Sequence, residues 1–232
     1  MADFNTDTVI IGAGVVGLAI GKVLSEKNMD TLILEDLPEF GQITSSRNSG
    51  VIHAGIYYQE NSLKAKMCVE GNKLMYEYCK KYSIPHRKTK KILVASNSKQ
   101  IQDIEKIKQQ AEKNGVKNII NISNSQVTNL EPLIKCKEAL LIPSSGIIDS
   151  YNFMNALEGQ IKDAGGMISY NSKLKKINFD GNFFVLEILD TEKNITTIRC
   201  NNLINSAGLS ASKIASKIKE LNPKLIPMTY FA

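Results

Sequence analysis

Three glycines near the start of this 232-residue chain, Gly12, Gly14 and Gly17, have the spacing G-x-G-x-x-G. They directly follow the apolar run 9–11, and helical spacing then continues to Lys27. In such a turn the first glycine permits a sharp reversal, the second lets a pyrophosphate approach the backbone, and the third lets the helix pack against the strand. The amides and the dipole at the helix N-terminus favour phosphate charge. The pattern predicts a dinucleotide site, and the alternative is an α/β turn that binds no nucleotide.

A carboxylate, Glu35, follows the second apolar strand of this unit, residues 31–34. At this distance from the glycines, an acidic side chain is placed to accept hydrogen bonds from the 2′-hydroxyl of a ribose. The same negative charge repels a 2′-phosphate, so the motif disfavours NADP. On this motif alone, NAD and FAD both remain open as the ligand.

The composition indicates a globular chain without a nucleic-acid partner. Hydrophobic residues make up 43% of the sequence, which is enough to form one large or two small domains. The formal net charge is +6, but the lysines are spread out apart from a cluster at 87–91, and aromatic residues are only 6%. We therefore expect a solvated basic surface, and attraction of an anionic substrate is a second use for this charge.

The cysteines and the N-terminal residues indicate a reduced protein of the cytoplasm. The four cysteines are far apart and form no C-x-x-C pair, so we expect free thiols and no metal site. The first residues include Asp3 and Asp7 and lack the basic region of a signal peptide. No run approaches the roughly 18 apolar residues that a membrane-spanning helix needs.

The order of predicted elements places a strand-rich region inside the nucleotide-binding domain. Hydrophobic spacing predicts helices at residues 63–82, 101–114, 150–164 and 210–219, with turns around one short strand at 118–132. Strands are predicted at residues 91–95, 138–142, 167–170, 172–179, 183–190, 195–200 and 203–205. The predicted fold class is α/β: a Rossmann-like, mainly parallel sheet with helices on both faces, interrupted by an incomplete antiparallel sheet. Residues 203–205 should join the same sheet as residues 9–11.

A longer segment, GQITSSRNSGVIHAGIYYQENSLKAK at 41–66, resembles the FAD-dependent D-amino-acid-oxidase-like superfamily when it is taken with the opening motif. Within that superfamily, NSGVIHAGIYY, followed by SLKAK and a C-x-E-G-N helix, is similar to the L-2-hydroxyglutarate dehydrogenase/oxidase family. IPSSGIID at 142–149 and NSAG at 205–208 extend the similarity over essentially the whole chain. The opening motif and NSAG are superfamily-wide, whereas the NSGVIHAGIYY block is specific to the subfamily.

The resemblance implies that the cofactor is FAD. It implies an FAD-binding domain over 1–87 and 147–218, and a partial substrate domain over 88–146 and 219–232. The turn at Ala207 and Gly208 should return to the dinucleotide, and the strand that carries Leu174 should meet the adenine. A group of hydroxyl, amide and cationic donors should lie near the pyrophosphate and the flavin ring, a polar loop being the alternative. These donors are Thr44, Ser45, Ser46, Arg47 and Asn48.

His53 is one of only two histidines in the chain. When a carbinol carbon is oxidised, a hydride leaves for the flavin and a base takes the hydroxyl proton, a task that suits an imidazole. The resemblance implies that His53 lines the substrate site as the catalytic base, and a structural histidine is the alternative. Tyr57 and Tyr58 are candidates for hydrogen bonds to a substrate carboxylate or for packing. Arg47 and Lys64 are candidates for pairing with that carboxylate or for surface roles.

The reaction implied by the resemblance is oxidation of (S)-2-hydroxyglutarate to 2-oxoglutarate, with a quinone or oxygen as the electron acceptor. The alternatives are an FAD oxidoreductase that acts on an amino acid or glycerol phosphate, and a non-catalytic dinucleotide-binding fragment. Family members continue beyond Ala232, where this chain ends inside an expected strand. This difference predicts weak FAD binding, little turnover and self-association through an open strand edge. The resemblance also allows for peripheral membrane contact of a full-length form.

Overall fold

The computed structural model describes residues 2–228, which form two compact units. The first unit comprises the chain up to Asn48 and from Ser150 onwards, and the second comprises Ser49–Asp149. The expectation that the chain ends inside a strand falls on residues 229–232, outside the described part. No helix within 2–228 is both long and apolar enough to cross a membrane. Within the same residues, no group of three His, Cys, Asp or Glu side chains has a metal-binding arrangement.

Strands and helices alternate through the first third of the chain, and strands dominate its last third. In chain order the elements are β1 (Phe4–Ile11), α1 (Val15–Glu26), β2 (Thr31–Leu34), β3 (Val51–Ile52), α2 (Leu63–Lys81), β4 (His86–Arg87), β5 (Lys91–Ala95), α3 (Ser98–Lys113), β6 (Ile120–Ser123), α4 (Asn124–Leu130), β7 (Glu138–Ile142), β8 (Gly146–Ile148), α5 (Ser150–Asp163), β9 (Met167–Ser169), β10 (Lys173–Phe179), β11 (Phe184–Leu189), β12 (Ile195–Asn205) and α6 (Ala211–Ala215).

A six-stranded sheet forms the first unit, in the order β10-β11-β12-β1-β2-β9. Strand β1 lies between β12 and β2 and is parallel to both, and β9 continues the parallel part beside β2. Strands β10 and β11 add an antiparallel hairpin on the other side of β12. Val9 pairs with Leu203 and Ile11 pairs with Asn205, so the predicted return of the late strand to the opening sheet is confirmed.

The two faces of this sheet are covered differently. On one face, a Cβ built on Gly21 of α1 would meet Ile33 at 2.6 Å and Ile161 of α5 at 3.4 Å, so both helices pack closely against the strands. On the other face, Val9 and Ile11 pack with buried residues of β10, β11 and β12. The mixed α/β class is confirmed, but the second face is covered by the hairpin and by the short α6 segment instead of a long helix.

Strand β12 is one strand of 11 residues, where the sequence predicts two. The polar pair Asn201 and Asn202 interrupts the apolar pattern that the prediction follows. In the structure, the Asn201 amide donates to the Asp7 carboxylate at 3.3 Å, and the Asn202 amide donates to the Asp7 carbonyl at 3.3 Å. Because these amides bond to the neighbouring strand, β12 continues without a break.

The second unit contains two three-stranded antiparallel sheets. The predicted strands β5 and β7 form one of them with β6 between 120 and 123 as the third member, in the order β5-β7-β6. Buried side chains of α3, including Ile104 and Ala111, form a core with Ala54, Leu140 and Ile142. The other sheet has the order β3-β8-β4 and was not predicted, because its strands are only two or three residues long.

Two helices differ from their predicted forms. Helix α4 lies where only turns around a strand are predicted, and it begins at a capping box of Ser123 and Gln126. Helix α6 has five residues in place of the predicted 210–219. Beyond Ala215 the backbone tightens, since Lys217 donates to Ile214 and Ile218 donates to Ala215. Three-residue bonds of this kind typically end an α-helix.

The boundaries of the compact units differ from the predicted domain boundaries. Residues 49–87 belong to the second unit, because β3 and β4 pair with β8 and not with the large sheet. The segment that follows residue 218 groups with the first unit, where the Ser212 hydroxyl donates to the Pro227 carbonyl at 2.8 Å. The predicted interruption of one domain by another is present, with its edges after 48 and 149.

Candidate functional site

The glycine loop between β1 and α1 fits no larger side chain at two of its three positions. Gly12 has φ of +101°, and a Cβ there would lie 2.7 Å from the Ser206 carbonyl oxygen. A Cβ on Gly17 would lie 2.0 Å from the Gly12 carbonyl oxygen. These contacts are far inside van der Waals distance, so the loop turns sharply and the helix packs against it only with glycine at both positions.

The N-terminus of α1 presents free amides to an open surface. Gly14 precedes the helix, and the only neighbour that a Cβ there would meet is the Ser45 hydroxyl at 3.1 Å. That hydroxyl accepts a hydrogen bond from the Val15 amide at 3.0 Å. Among residues 2–228, no acceptor lies within hydrogen-bond distance of the Gly14 or Val16 amide. Unpaired amides at a helix N-terminus suit the negative charge of a pyrophosphate.

Glu35 shapes the same loop from the end of β2. Its Oε2 accepts a hydrogen bond from the Ala13 amide at 2.7 Å, and its Oε1 accepts one from the Leu37 amide at 3.1 Å. A carboxylate offers about four acceptor positions, so both oxygens can still accept ribose hydroxyls. The contact to Ala13 was not predicted, because sequence spacing does not show which backbone amide a side chain reaches.

Further carboxylates lie near Glu35. The Tyr170 hydroxyl donates to Glu158 at 2.7 Å. Burial raises the pKa of Tyr170 well above its usual value, and the bond to Glu158 and the charges of Glu35 and Glu39 raise it further. The tyrosine therefore remains a neutral donor among three carboxylates. This negative surrounding opposes a 2′-phosphate, in agreement with the prediction that NADP is disfavoured.

The predicted donor segment, Thr44–Asn48, is exposed except at Ser45, which is half-buried at the start of α1. Thr44–Ser46 forms a short 3-10 helix. The Asn48 amide donates to the Ser45 carbonyl at 2.7 Å and to the Ser150 hydroxyl at 3.2 Å, which fixes the segment to α5. The Ser46 hydroxyl donates to the Ile43 carbonyl and accepts a bond from Arg47 at 3.1 Å.

The remaining predicted cofactor residues lie around the same loop. Gly208, with φ of +52°, stands beside Thr44, whose hydroxyl would be 3.9 Å from a Cβ on Gly208. The Ala207 amide donates to the Asn205 side chain at 3.3 Å. Leu174 is buried in the core below β10, and the amide of nearby Ser172 donates to the Glu35 carbonyl at 2.8 Å. The structure thus brings all the predicted cofactor residues together in the first unit, and their contact with FAD stays a prediction.

The predicted substrate residues lie in the second unit. Ile52, Ala54 and Ile56 are buried, and this alternation leaves His53 and Tyr57 exposed. The Tyr58 carbonyl accepts hydrogen bonds from Gln110 at 2.6 Å and Asn114 at 2.7 Å, which hold the segment against α3. Two cations stand over the tyrosine rings: Lys64 lies 4.8 Å from the Tyr58 ring centroid, and Lys91 lies 5.1 Å from that of Tyr57.

The glycine loop, the helix terminus and Glu35 define the first unit as a dinucleotide-binding α/β domain. The family profile described as DAO, FAD dependent oxidoreductase, matches residues 7–231. The chain belongs to this family, whose cofactor is FAD, as the sequence resemblance predicts.

Relatives and a solved structure support this assignment. The chain is 35% identical to the mitochondrial L-2-hydroxyglutarate dehydrogenase of Arabidopsis thaliana over 260 residues, which cover 100% of the chain and 53% of that protein. The protein of the same name from Caenorhabditis briggsae is 33% identical over 226 residues, covering 95% and 52%. The chain therefore spans about half the length of these curated relatives. L-alpha-glycerophosphate oxidase from Mycoplasma pneumoniae with FAD bound has a TM-score of 0.85 and 26% identity over 93% of the chain and 57% of that protein.

We expect Glu35→Ala to weaken FAD binding by about 1–3 kcal/mol, because the variant loses charged hydrogen bonds to the cofactor and to the glycine loop. Titration of the protein with FAD, followed by quenching of flavin fluorescence, measures the change. The matched control is Asp36→Ala, which removes an adjacent exposed carboxylate that pairs with Lys173 at 3.3 Å. Equal losses in the two variants would show that overall charge, and not the position of Glu35, determines the affinity.

Proposed function

We propose that the protein oxidises a 2-hydroxy acid with FAD, and that the acid is (S)-2-hydroxyglutarate, which gives 2-oxoglutarate. The observation that carries the proposal is the dinucleotide site of the first unit in a chain whose full length is similar to L-2-hydroxyglutarate dehydrogenases. The similarity includes the block that holds His53, Tyr57 and Tyr58. FAD, when bound, supplies an acceptor for the hydride that leaves the carbinol carbon.

The residues of the first unit fit this cofactor. The free amides of Gly14 and Val16 would bind the pyrophosphate at the start of α1. Glu35 would accept hydrogen bonds from the adenosine ribose while it keeps its bond to Ala13. Thr44, together with the exposed donors at 46–48, would hydrogen-bond the remainder of the cofactor, and the turn at Ala207 and Gly208 would approach it again. The strand of Leu174 would contact the adenine.

The residues of the second unit fit an anionic 2-hydroxy acid. His53 would accept the proton of the substrate hydroxyl as the hydride departs. Tyr57 and Tyr58 would donate hydrogen bonds to carboxylate oxygens. The ammonium groups of Lys64 and Lys91 lie over these two rings, so two positive charges accompany the two tyrosine hydroxyls. A dicarboxylate matches this pair of cations better than a neutral substrate does.

A second candidate function keeps FAD and changes the substrate to glycerol phosphate or an amino acid. The similarity to the L-alpha-glycerophosphate oxidase favours the first of these, since its fold matches over most of the chain. A phosphate group would use the same lysines as a carboxylate. The substrate therefore has to be separated by experiment.

The electron acceptor and the cellular location follow from the same proposal. A quinone or oxygen would reoxidise the flavin, and contact with a membrane surface would suit a quinone. We keep the cytoplasm as the proposed location, although the relatives in Arabidopsis thaliana and Caenorhabditis briggsae are named mitochondrial.

Anaerobic flavin bleaching tests the proposed substrate class. The FAD-loaded protein is mixed separately with (S)-2-hydroxyglutarate, glycerol 3-phosphate, glycine and L-proline, and the visible flavin absorbance is followed to completion so that slow reactions are detected. We expect the hydroxy acid to reduce the flavin fastest. Faster bleaching by glycerol 3-phosphate would favour the second candidate, and bound FAD that none of the four reduces would favour a non-catalytic module.

A further inference from the structure

One face of helix α2 carries polar side chains at every fourth position: Lys64, Cys68, Asn72 and Tyr76. Residues four apart lie above one another on a helix, so these side chains form a continuous polar stripe. The stripe contains the cysteine and the asparagine of the C-x-E-G-N motif, for which the sequence alone indicates no role.

Asn72 joins two separate chain segments through this stripe. Its Nδ2 donates to the His53 carbonyl oxygen at 2.9 Å and to the Ser144 carbonyl oxygen at 2.9 Å. Cys68 Sγ donates to the same His53 carbonyl at 3.7 Å, and the Tyr76 hydroxyl donates to the Ser144 carbonyl at 3.0 Å. The backbone of His53 is thus held at its carbonyl by two side chains of α2.

The strand pairing explains why side chains are needed at this point. Strands β3 and β8 pair only through Val51 with Ile147 and Ile52 with Gly146. The carbonyls of His53 and Ser144 lie just beyond this short ladder, and the Asn72 amide bridges the two chains there. A Cβ on Gly146 would lie 2.3 Å from the Tyr76 hydroxyl oxygen and 2.4 Å from the Arg87 carbonyl oxygen. Glycine at 146 therefore lets Tyr76 reach Ser144.

The chemical state of the donors agrees with this arrangement. Asn72 is half-buried, and both of its acceptors are carbonyl oxygens, so its NH₂ group has to face them. Burial raises the pKa of the Cys68 thiol, although Lys64 and Tyr58 oppose the shift. The thiol therefore stays protonated at neutral pH and keeps its hydrogen for the His53 carbonyl.

We propose that Asn72 is a positioning residue for His53, which it holds in place through the backbone carbonyl, with Cys68 and Tyr76 in support. The proposal rests on the catalytic role proposed for His53. Its imidazole is exposed and makes no side-chain hydrogen bond within residues 2–228, so the orientation of the ring depends on the backbone that carries it. Misplacement of a catalytic group by about 1 Å can cost on the order of 10² in rate.

NMR of the histidine rings tests the positioning without requiring activity. The chain has only two histidines, and a His86→Gln variant assigns the two signals. We expect Asn72→Ala to move the His53 ring signal towards that of a histidine in an unfolded peptide, while the His86 signal stays in place. Tyr76→Phe, which leaves both donors to His53 intact, should move the His53 signal less. An unchanged His53 signal in Asn72→Ala, or equal movement of both signals, would overturn the proposal.

Single-turnover flavin reduction by (S)-2-hydroxyglutarate tests whether the positioning serves catalysis. We expect Asn72→Ala to slow reduction by about 10–10²-fold with little change in the half-saturating substrate concentration. Added to His53→Ala, the substitution should cause no further loss, because both changes remove the same function. Lys73→Ala, an exposed neighbour on α2, should react like the parent protein. Additive losses in the double variant would assign Asn72 to folding alone, whereas a parent protein that is never reduced would contradict the proposed substrate and leave the NMR result to decide on positioning.

Discussion

We expect His53→Ala to lower the rate constant for flavin reduction by (S)-2-hydroxyglutarate by about 10²–10⁴. Without the imidazole, the hydroxyl proton has no base to accept it while the hydride leaves. The side chain is exposed and makes no hydrogen bond within the described residues, so its removal should change the free energy of unfolding by less than about 0.5 kcal/mol. Rapid-mixing absorbance measurements under anaerobic conditions give the rate constant, and thermal unfolding gives the stability.

Two comparisons separate a catalytic base from a structural histidine. His86→Gln replaces the other histidine, whose Nδ1 lies 2.8 Å from the Ile84 carbonyl oxygen, and should leave the reduction rate unchanged. Imidazole added to His53→Ala should restore part of the lost rate, because a free base can take the place of the missing side chain. An unchanged rate in His53→Ala would demote His53 to a structural residue and would transfer the search for the base to Tyr57 and Tyr58.

The second large effect is expected for Gly17→Ala, which should destabilise the first unit and prevent stoichiometric FAD binding. The new Cβ would lie 2.0 Å from the Gly12 carbonyl oxygen, a backbone atom that cannot move without shifting the glycine loop. Overpacking of this kind costs roughly 1–3 kcal/mol, and we expect a loss at the upper end of that range because no flexible side chain relieves it. Chemical denaturation and FAD titration measure the two effects.

Gly159→Ala is the matched control, because Gly159 lies inside helix α5 of the same unit and a Cβ there meets nothing within 4 Å. Alanine is favoured over glycine inside a helix, so this variant should gain about 0.5–1 kcal/mol and bind FAD normally. If Gly17→Ala were as stable as the parent and bound FAD equally well, the close contact between α1 and the glycine loop would not be a determinant of the site.

Local pattern was sufficient to predict the opening β-α-β unit. The apolar run at 9–11, the glycine spacing and the acid at 35 each report a requirement that is met within a few residues of sequence. For the same reason, the return of residues 203–205 to this sheet was predicted correctly. A short apolar strand that leads into a glycine turn closely resembles the first one.

Contacts between distant segments could not be predicted in this way. The bonds from Ala13 to Glu35 and from Val15 to Ser45 depend on where two loops meet after folding. The short strands β3, β4 and β8 have too few residues to show a period of two, so their sheet was missed. The stripe of α2 was visible as a four-residue spacing from Lys64 to Tyr76, but only the structure shows that Asn72 faces two backbone carbonyls.

Helix α4 shows a different limit of the sequence prediction. Its capping box, Ser123 with Gln126, is a sequence signal that the apolar periodicity of 118–132 obscured. Capping residues therefore indicate a short helix here better than hydrophobic spacing does.

The measurement that tests the central claim most directly is a single anaerobic turnover of the FAD-loaded protein with (S)-2-hydroxyglutarate, in which flavin absorbance and the amount of 2-oxoglutarate are determined on the same sample. The account predicts loss of the oxidised flavin spectrum and one 2-oxoglutarate for each flavin reduced, since each hydride transfer reduces one flavin. A flavin that stays oxidised with this acid but is bleached by glycerol 3-phosphate or by an amino acid would contradict the account.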